Sequence, residues 1–237
     1  MADGIKIGNL DISAFKVGSS DCKVYLGDAL LYPNVETSVV AKFNVTTTSS
    51  PTRIISQYAD SPFSAIEIDG VVQPSVVSTY TFSTTGEHTV KYTLTDPTSI
   101  DTYAFGYCKN LTSIVIPNSV TNISNSAFAV CSGLTSCIIG SGVTNISHSA
   151  FNGCRSLTSI DIPNSITSIG QMAFASCSSL TSIVSNATTA PTIDSTTFEN
   201  VNTGGTLTVP SGSTGYDVWM GTSNYYLGKY NWTKVEQ

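Results

Sequence analysis

Charge is scarce in this 237-residue sequence: Lys and Arg number 10, Asp and Glu 16, together 11% of the chain, for a net charge of -6. Soluble domains ordinarily carry about a quarter charged residues. With no cluster of Lys and Arg, the chain lacks the basic footprint of a nucleic-acid-binding protein. Histidine is rarer still, at His88 and His148, and neither sits in a motif for nucleophilic catalysis. There is no Gly-x-Gly-x-x-Gly or Walker loop to cradle phosphates. No apolar run approaches the ~20 residues of a spanning helix, so membrane insertion is not expected. The opening Met1-Ala2-Asp3-Gly4-Ile5-Lys6 has neither a basic start nor an apolar stretch. No secretion leader is therefore visible, and the chain is expected to stay where it is made. Apolar residues make up 41%, too many for a disordered chain. The surface must then be mostly Ser, Thr and Asn, a neutral coat that gives little electrostatic steering.

What fills the sequence is a repeat. Ile100, Ile123, Ile146 and Ile169 stand 23 residues apart. The blocks they open read IDTYAFGYCKNLTSIVIPNSVTN, ISNSAFAVCSGLTSCIIGSGVTN, ISHSAFNGCRSLTSIDIPNSITS and IGQMAFASCSSLTSIVSNATTAP. A degenerate fifth block begins at Ile193 after one inserted residue and runs through Phe198, Leu207, Val209 and Pro210. Within a block, Phe105, Cys108 and Leu111 are three residues apart, the spacing of one face of a short helix or helical turn. Leu-Thr-Ser-Ile-x-Ile then alternates with period 2, a short strand ended by Pro117 or Pro163. One strand and one helical turn cannot bury their apolar sides alone. Stacked on copies of themselves they form a continuous core and a parallel sheet.

Residues 100 to about 210, with Ala-Phe-x-x-Cys-x-x-Leu-Thr-Ser-Ile-x-Ile-Pro recurring in register, closely resemble the BspA-like subclass of leucine-rich repeats. The resemblance implies a surface or adhesion-type binding protein of gut or oral bacteria, or of phages that infect them. The expected fold is mainly β with an α/β solenoid: a short BspA-type solenoid over 100–211, preceded by a small β-sandwich-like domain over 37–99 and an N-terminal β-hairpin module over 1–36. Residues 212–237 follow as an aromatic cap.

Of six cysteines, Cys108, Cys131, Cys154 and Cys177 share one repeat position, and Cys137 replaces a strand Ile. A ladder of small apolar residues in a narrow core slot explains this. Zinc would need its ligands to converge on one point, and this spacing spreads them along the stack. No metal and no cofactor is expected. Between Ile100 and Ile193 the charged residues are Asp101, Lys109, Arg155 and Asp161, so Asp161 has no acidic partner for glycosidase chemistry. The chain is accordingly read as a non-enzyme with no catalytic residues.

After Pro210, the residues Tyr216, Trp219, Tyr225, Tyr226, Tyr230 and Trp232 admit two readings: a sugar-stacking platform, or a cap over the open end of the solenoid, with the cap favoured. Over 37–99, alternation at Ala41, Phe43 and Val45 and at Val90, Tyr92 and Leu94, with Asp69-Gly70 as a two-residue hairpin, suggests an immunoglobulin-like sandwich. Asp96-Pro97 marks the junction to the repeats. In residues 1–36, Gly27-Asp28 reads as a tight hairpin, and Ile5, Ile7, Tyr25, Leu26, Leu30, Leu31 and Tyr32 are more apolar residues than so short a segment can bury. This segment is expected to attach the chain to other copies of itself, as a homo-oligomer, or to other proteins. Lys23-Val24-Tyr25-Leu26-Gly27 through Leu31-Tyr32-Pro33 resembles a short module of virion and tail proteins from phages of Bacteroides-like bacteria, of the crAss-like kind. That resemblance implies a virion protein; a bacterial cell-surface adhesin is the alternative.

Period 2 turns Ser113, Val115, Ser136, Ile138, Ser159, Asp161, Ser182 and Val184 outward on the repeat strands, as two rows ~15 Å long. A hydroxyl row beside a largely apolar row is the candidate contact surface for a host glycan or protein.

Overall fold

The computed structural model describes residues 37–60 and 62–237 and, before them, the backbone of five short strands. These strands, β1 (Lys6–Ile7), β2 (Leu10–Asp11), β3 (Ala14–Val17), β4 (Cys22–Leu26) and β5 (Ala29–Leu30), belong to a unit of their own, Met1–Thr37. β1 pairs with β2, β3 with β4 and β4 with β5, all antiparallel. Leu26 lies opposite Ala29, the register a two-residue connection requires. Gly27-Asp28 itself lies outside the described residues, as do Ile5, Leu31 and Tyr32.

Residues 38–237 form the second unit. Its first part contains β6 (Ser38–Val45), β7 (Thr52–Arg53), β8 (Phe63–Ile68), β9 (Val71–Val72), β10 (Thr79–Tyr80) and β11 (Gly86–Leu94). β11 is central, with β6 on one side and β8, then β9, on the other; β7 pairs with β10 in a separate ribbon. Asp69 and Gly70 both have positive φ, at 49° and 81°, as a type I′ hairpin demands, and Ile68 faces Val71 across it. Alternate residues point inward: Val39, Ala41, Phe43 and Val45 from β6, and Val90, Tyr92 and Leu94 from β11 are buried. The Tyr92 hydroxyl donates to the Ile54 carbonyl at 2.8 Å, which satisfies the polar end of a buried ring.

Asp69 also anchors the hairpin. Its Oδ1 accepts the Thr89 N–H at 2.9 Å and its Oδ2 lies 2.7 Å from His88 Nδ1. His88 Nε2 faces the Thr84 carbonyl at 2.9 Å and the Thr84 hydroxyl at 3.4 Å. Burial works against the imidazolium, but the Asp69 carboxylate and the Thr84 carbonyl outweigh it and raise the His88 pKa. Burial likewise works against the Asp69 carboxylate, and the contacts from His88 and Thr89 outweigh it to lower that pKa.

The repeats carry two strands per coil, where the sequence indicates one. The short strands β12 (Ser99–Ile100), β14 (Asn122–Ile123), β16 (Asn145–Ile146), β18 (Ser168–Ile169) and β20 (Thr192–Ile193) form one parallel sheet. The Leu-Thr-Ser-Ile segments form the second side: β13 (Leu111–Val115), β15 (Ser136–Ile138), β17 (Ser159–Ile162), β19 (Ser182–Ser185) and β21 (Thr206–Val209), with β22 (Thr233–Glu236) added from the tail. β13 also pairs antiparallel with β6, Ile114 opposite Ala41, so the sheet of residues 38–94 runs on into the repeats.

The third side of each coil is a series of turns. In each of the first four coils two residues have left-handed φ, among them Tyr103 (57°) and Tyr107 (65°), Ser126 (56°) and Val130 (60°). Such residues cannot sit inside a right-handed helix. Backbone N–H groups alternate in their use. Those of Tyr103, Phe105 and Tyr107 cross to the next coil at Asn125, Ala127 and Ala129, while those of Ala104, Gly106 and Cys108 bond the carbonyl three residues back and close β-turns within the coil. The three-residue apolar spacing reflects these turns.

Inside, Phe105, Phe128, Phe151, Phe174 and Phe198 stack in a spine, with ring centroids 5.3, 5.0, 5.3 and 6.0 Å apart and planes within 11° of parallel. Phe63 and Tyr92 close one end on Phe105, at 5.2 and 5.1 Å, and Trp219 closes the other on Phe198 at 5.4 Å. Trp219 N–H donates to the Pro191 carbonyl at 3.0 Å, and Trp232 N–H to that of Asn202 at 2.8 Å. Tyr216, Trp219 and Trp232 are buried. Beside the spine, the thiols of Cys131, Cys154 and Cys177 donate to the carbonyls of Phe105, Phe128 and Phe151 at 3.0, 3.2 and 3.2 Å. Burial pushes Cys131 and Cys177 up to about 12 and raises Cys108, Cys137 and Cys154 as well, so these thiols are protonated and unreactive at neutral pH.

Phe151 has a ring on each face, so Phe151→Ala is expected to destabilise the protein by roughly 3–5 kcal/mol in denaturant unfolding. For the His88–Asp69 pair the signs are opposite. The raised His88 stabilises fully below its ordinary 6.5 and loses that contribution as pH climbs through its folded pKa; the lowered Asp69 stabilises above its ordinary 3.8 and loses that as pH falls. The melting temperature is expected to drop as pH rises above the ordinary 6.5 of His88, and His88→Gln should flatten that drop.

Candidate functional site

The outward rows are where period 2 puts them. Ser136, Ser159, Val115, Ile138 and Asp161 are exposed, and Ser113, Ser182 and Val184 are half-buried, while Ile114, Cys137, Ile160 and Ile183 between them are buried. Ser113 aligns with Ser136 and Val115 with Ile138; Ser159 aligns with Ser182 and Asp161 with Val184.

The rows are not continuous. β13–β15 belong to one sheet and β17–β19–β21–β22 to another, and no ladder joins β15 to β17. Block two alone carries glycine at three positions. Gly133, Gly140 and Gly142 stand where block one has Asn110, Pro117 and Ser119 and block three has Ser156, Pro163 and Ser165. A β-carbon at Gly140 would lie 2.5 Å from the Pro117 oxygen; one at Gly133 or Gly142 would collide with the carbonyl of Lys109 or Asn118. There Ser141 N–H donates to Asn118 Oδ1 at 2.8 Å. On this side no strand ladder joins the second coil to the third, although the other sheet still joins Asn145 to Ser168 and Asn122 to Asn145.

At this break lies a shallow cleft of about 430 Å³, lined by Cys137, Ile138, Ile139, Asp161, Pro163, Asn164 and Asn186. Ile138 is 59% exposed at its edge. Asn186 Nδ2 donates to Asp161 Oδ1 and holds the carboxylate in place. Asn164 and Asn186 also line a second cleft of about 500 Å³ that continues past Ile166 to Pro191 and Thr192. The structure thus brings Ile138 and Asp161 together at an opening, and leaves Ser113, Val115, Ser182 and Val184 on its flanks. Sequence reasoning missed Pro163, Asn164 and Asn186. The glycines of block two were the available signal, because they break the repeat at three places.

Chemically the cleft offers apolar surface, two amides and one carboxylate. A lone carboxylate does not make an acid–base pair. His148, with the Ser149 hydroxyl at 3.1 Å, lies on the turn side of its coil, away from the cleft. Among the described residues no group of three His, Cys, Asp or Glu side chains is placed to hold a metal, and no helix is long and apolar enough to cross a membrane.

Parallel coils of strand, turn and strand about a phenylalanine spine, with an outward strand face, define a leucine-rich-repeat solenoid. The profile of the BspA type leucine rich repeat region matches residues 98–219 in six copies, just over half of the chain, and the chain belongs to that family. Comparison with curated proteins finds no match. Among solved structures, the chain is similar to a leucine rich cell surface protein from Faecalibacterium prausnitzii (39% identity, TM-score 0.40, covering 44% of this chain and 27% of that one). It is also similar to the leucine rich repeat protein of T. pallidum (31%, 0.40, 46% and 51%) and to a leucine-rich repeat protein from Eubacterium ventriosum (22%, 0.42, 60% and 37%). The match spans about half or less of the length of each of these structures.

If the glycines set the opening, Gly140→Ala should force the first two coils apart. The expected cost is about 1–3 kcal/mol, read from the urea midpoint. An unchanged midpoint would mean that the close approach at Pro117 is not under constraint.

Proposed function

We propose that this chain is a non-enzymatic binding protein displayed on a cell surface, and that it meets a glycan or protein partner through the outward strand face at the cleft between β15 and β17. The observation that carries this is the exposed Ile138 beside the fixed Asp161 carboxylate, at the place where the strand face opens. An apolar anchor with a few oriented polar groups around it is the usual make-up of a recognition site. Membership of the BspA-type family supports display at a surface, and the leucine rich protein of F. prausnitzii is described as a cell surface protein. Residues 1–36 serve as the attachment segment, to other copies or to a neighbouring protein.

The finer reading, that the surface is a phage particle, rests on the resemblance of residues 23–33 to virion modules. The cell-surface reading has the firmer support. Mass spectrometry of washed cell envelopes and of purified particles separates the two, and recovery in the envelope alone excludes the particle. For the binding face, Ile138→Lys combined with Asp161→Lys is expected to abolish adhesion to host cells while leaving the melting temperature unchanged. Adhesion at the wild-type level would reject the cleft as the contact site.

A further inference from the structure

The tail tryptophans and Tyr216 are buried, but three tyrosines at the other end of the repeats are not. Tyr58 is 56% exposed, Tyr107 is 42% exposed, and Tyr103 is half-buried between them and the coil. The Tyr58 ring lies 5.8 Å from that of Tyr103 and 5.6 Å, edge-on, from that of Tyr107. Tyr58 arrives on the segment after β7. That segment is fastened to the first coil by the Ser56 N–H donating to the Ala104 carbonyl at 3.1 Å, and Tyr58 N–H donates to Ser56 Oγ at 3.2 Å.

The repeat supplies its own control. Tyr103 and Tyr107 occupy the two left-handed positions of the coil, which the following coils fill with Ser126 and Val130, Ser149 and Gly153, Met172 and Ser176. The first of these four coils alone places aromatic rings there. Gly106, where the later coils have Ala129, Asn152 and Ala175, lacks the β-carbon that would meet the Tyr103 ring at 3.0 Å. Three departures from the repeat therefore converge on one patch. Building the coil requires none of them, since its sister coils fold with other residues, and left-handed φ disfavours bulky side chains.

We propose that Tyr58, Tyr103 and Tyr107 form a stacking platform for the pyranose rings of a neutral glycan. This site shares no residue with the cleft and does not depend on it. Exposed tyrosine faces accept the C–H face of a sugar, and their hydroxyls reach its rim. Beside Tyr58, Arg53 Nη2 donates to Gln57 Oε1 at 3.0 Å, which leaves further guanidinium and amide N–H groups for sugar hydroxyls.

The test is affinity electrophoresis of the full chain in gels containing soluble β-glucan, α-mannan, amylopectin or galactan. At least one polysaccharide should retard the wild-type protein. The double variant Tyr103→Ser with Tyr107→Gly carries residues its sister coils already use, so its melting temperature should be unchanged or higher. In that variant and in Tyr58→Ala, affinity should fall about tenfold or more, the scale of losing stacked rings. Tyr107→Phe, which keeps the ring, should retain retardation, as should Ile138→Lys with Asp161→Lys. Absence of retardation by all four polysaccharides overturns the proposal. So does retention of binding in the folded double variant, or binding only to a proline-rich peptide run in parallel.

Discussion

Everything in the solenoid depends on the contact between one coil and the next. A single coil has no helix and no hairpin, and its backbone groups find partners mainly in its neighbours. N–H groups cross to the adjacent coil from the short strands, from the Leu-Thr-Ser-Ile strands and from the turns. The phenylalanine spine and the thiols that donate to it fill the space these three ladders enclose. A stack built this way has two raw ends, and aromatic side chains close both. Phe63 and Tyr92 stand at one end and Trp219 at the other, with β6 and β22 completing the sheet edges.

The scarcity of charge follows from the same contact. Equivalent side chains in successive coils lie one strand spacing apart, about 4.8 Å, so a charge copied with the repeat would face its own copy. Neutral side chains can bond instead. Thr121, Thr144 and Thr167 each donate to the carbonyl of the threonine one coil earlier, at 3.1, 3.2 and 3.1 Å, and Asn145 donates to Asn122 at 2.7 Å. Where charge does occur at a repeated position, it skips a coil: Lys109 and Arg155 are separated by Ser132.

Much of the core was legible in the sequence, because period and spacing report burial directly. Phe105, Cys108, Leu111 and Ile114 recur in every full block or are conservatively replaced, and all are buried. Asp69-Gly70 was legible as a turn because both residues tolerate left-handed φ. Other features left weaker marks. The second strand of each coil is two residues long, too short to show an alternation. Apolar residues three apart fit a helix and a run of β-turns equally well. The pairing of β6 with β13, like the meeting of Tyr58 with Tyr103, joins segments far apart in the chain, and no local pattern encodes it. The three glycines beside the opening at β15 are visible only as exceptions to the repeat.

That opening also has a mechanical meaning. Neighbouring coils are elsewhere sewn together along three seams, but between the second and third coils the strand-face seam is missing, while the short-strand sheet and the turns still hold. In a protein that tethers one body to another, tension along the stack is borne there by fewer bonds than anywhere else among the first four coils. The same stretch that offers a contact surface is thus held by the fewest ladder bonds among those four coils.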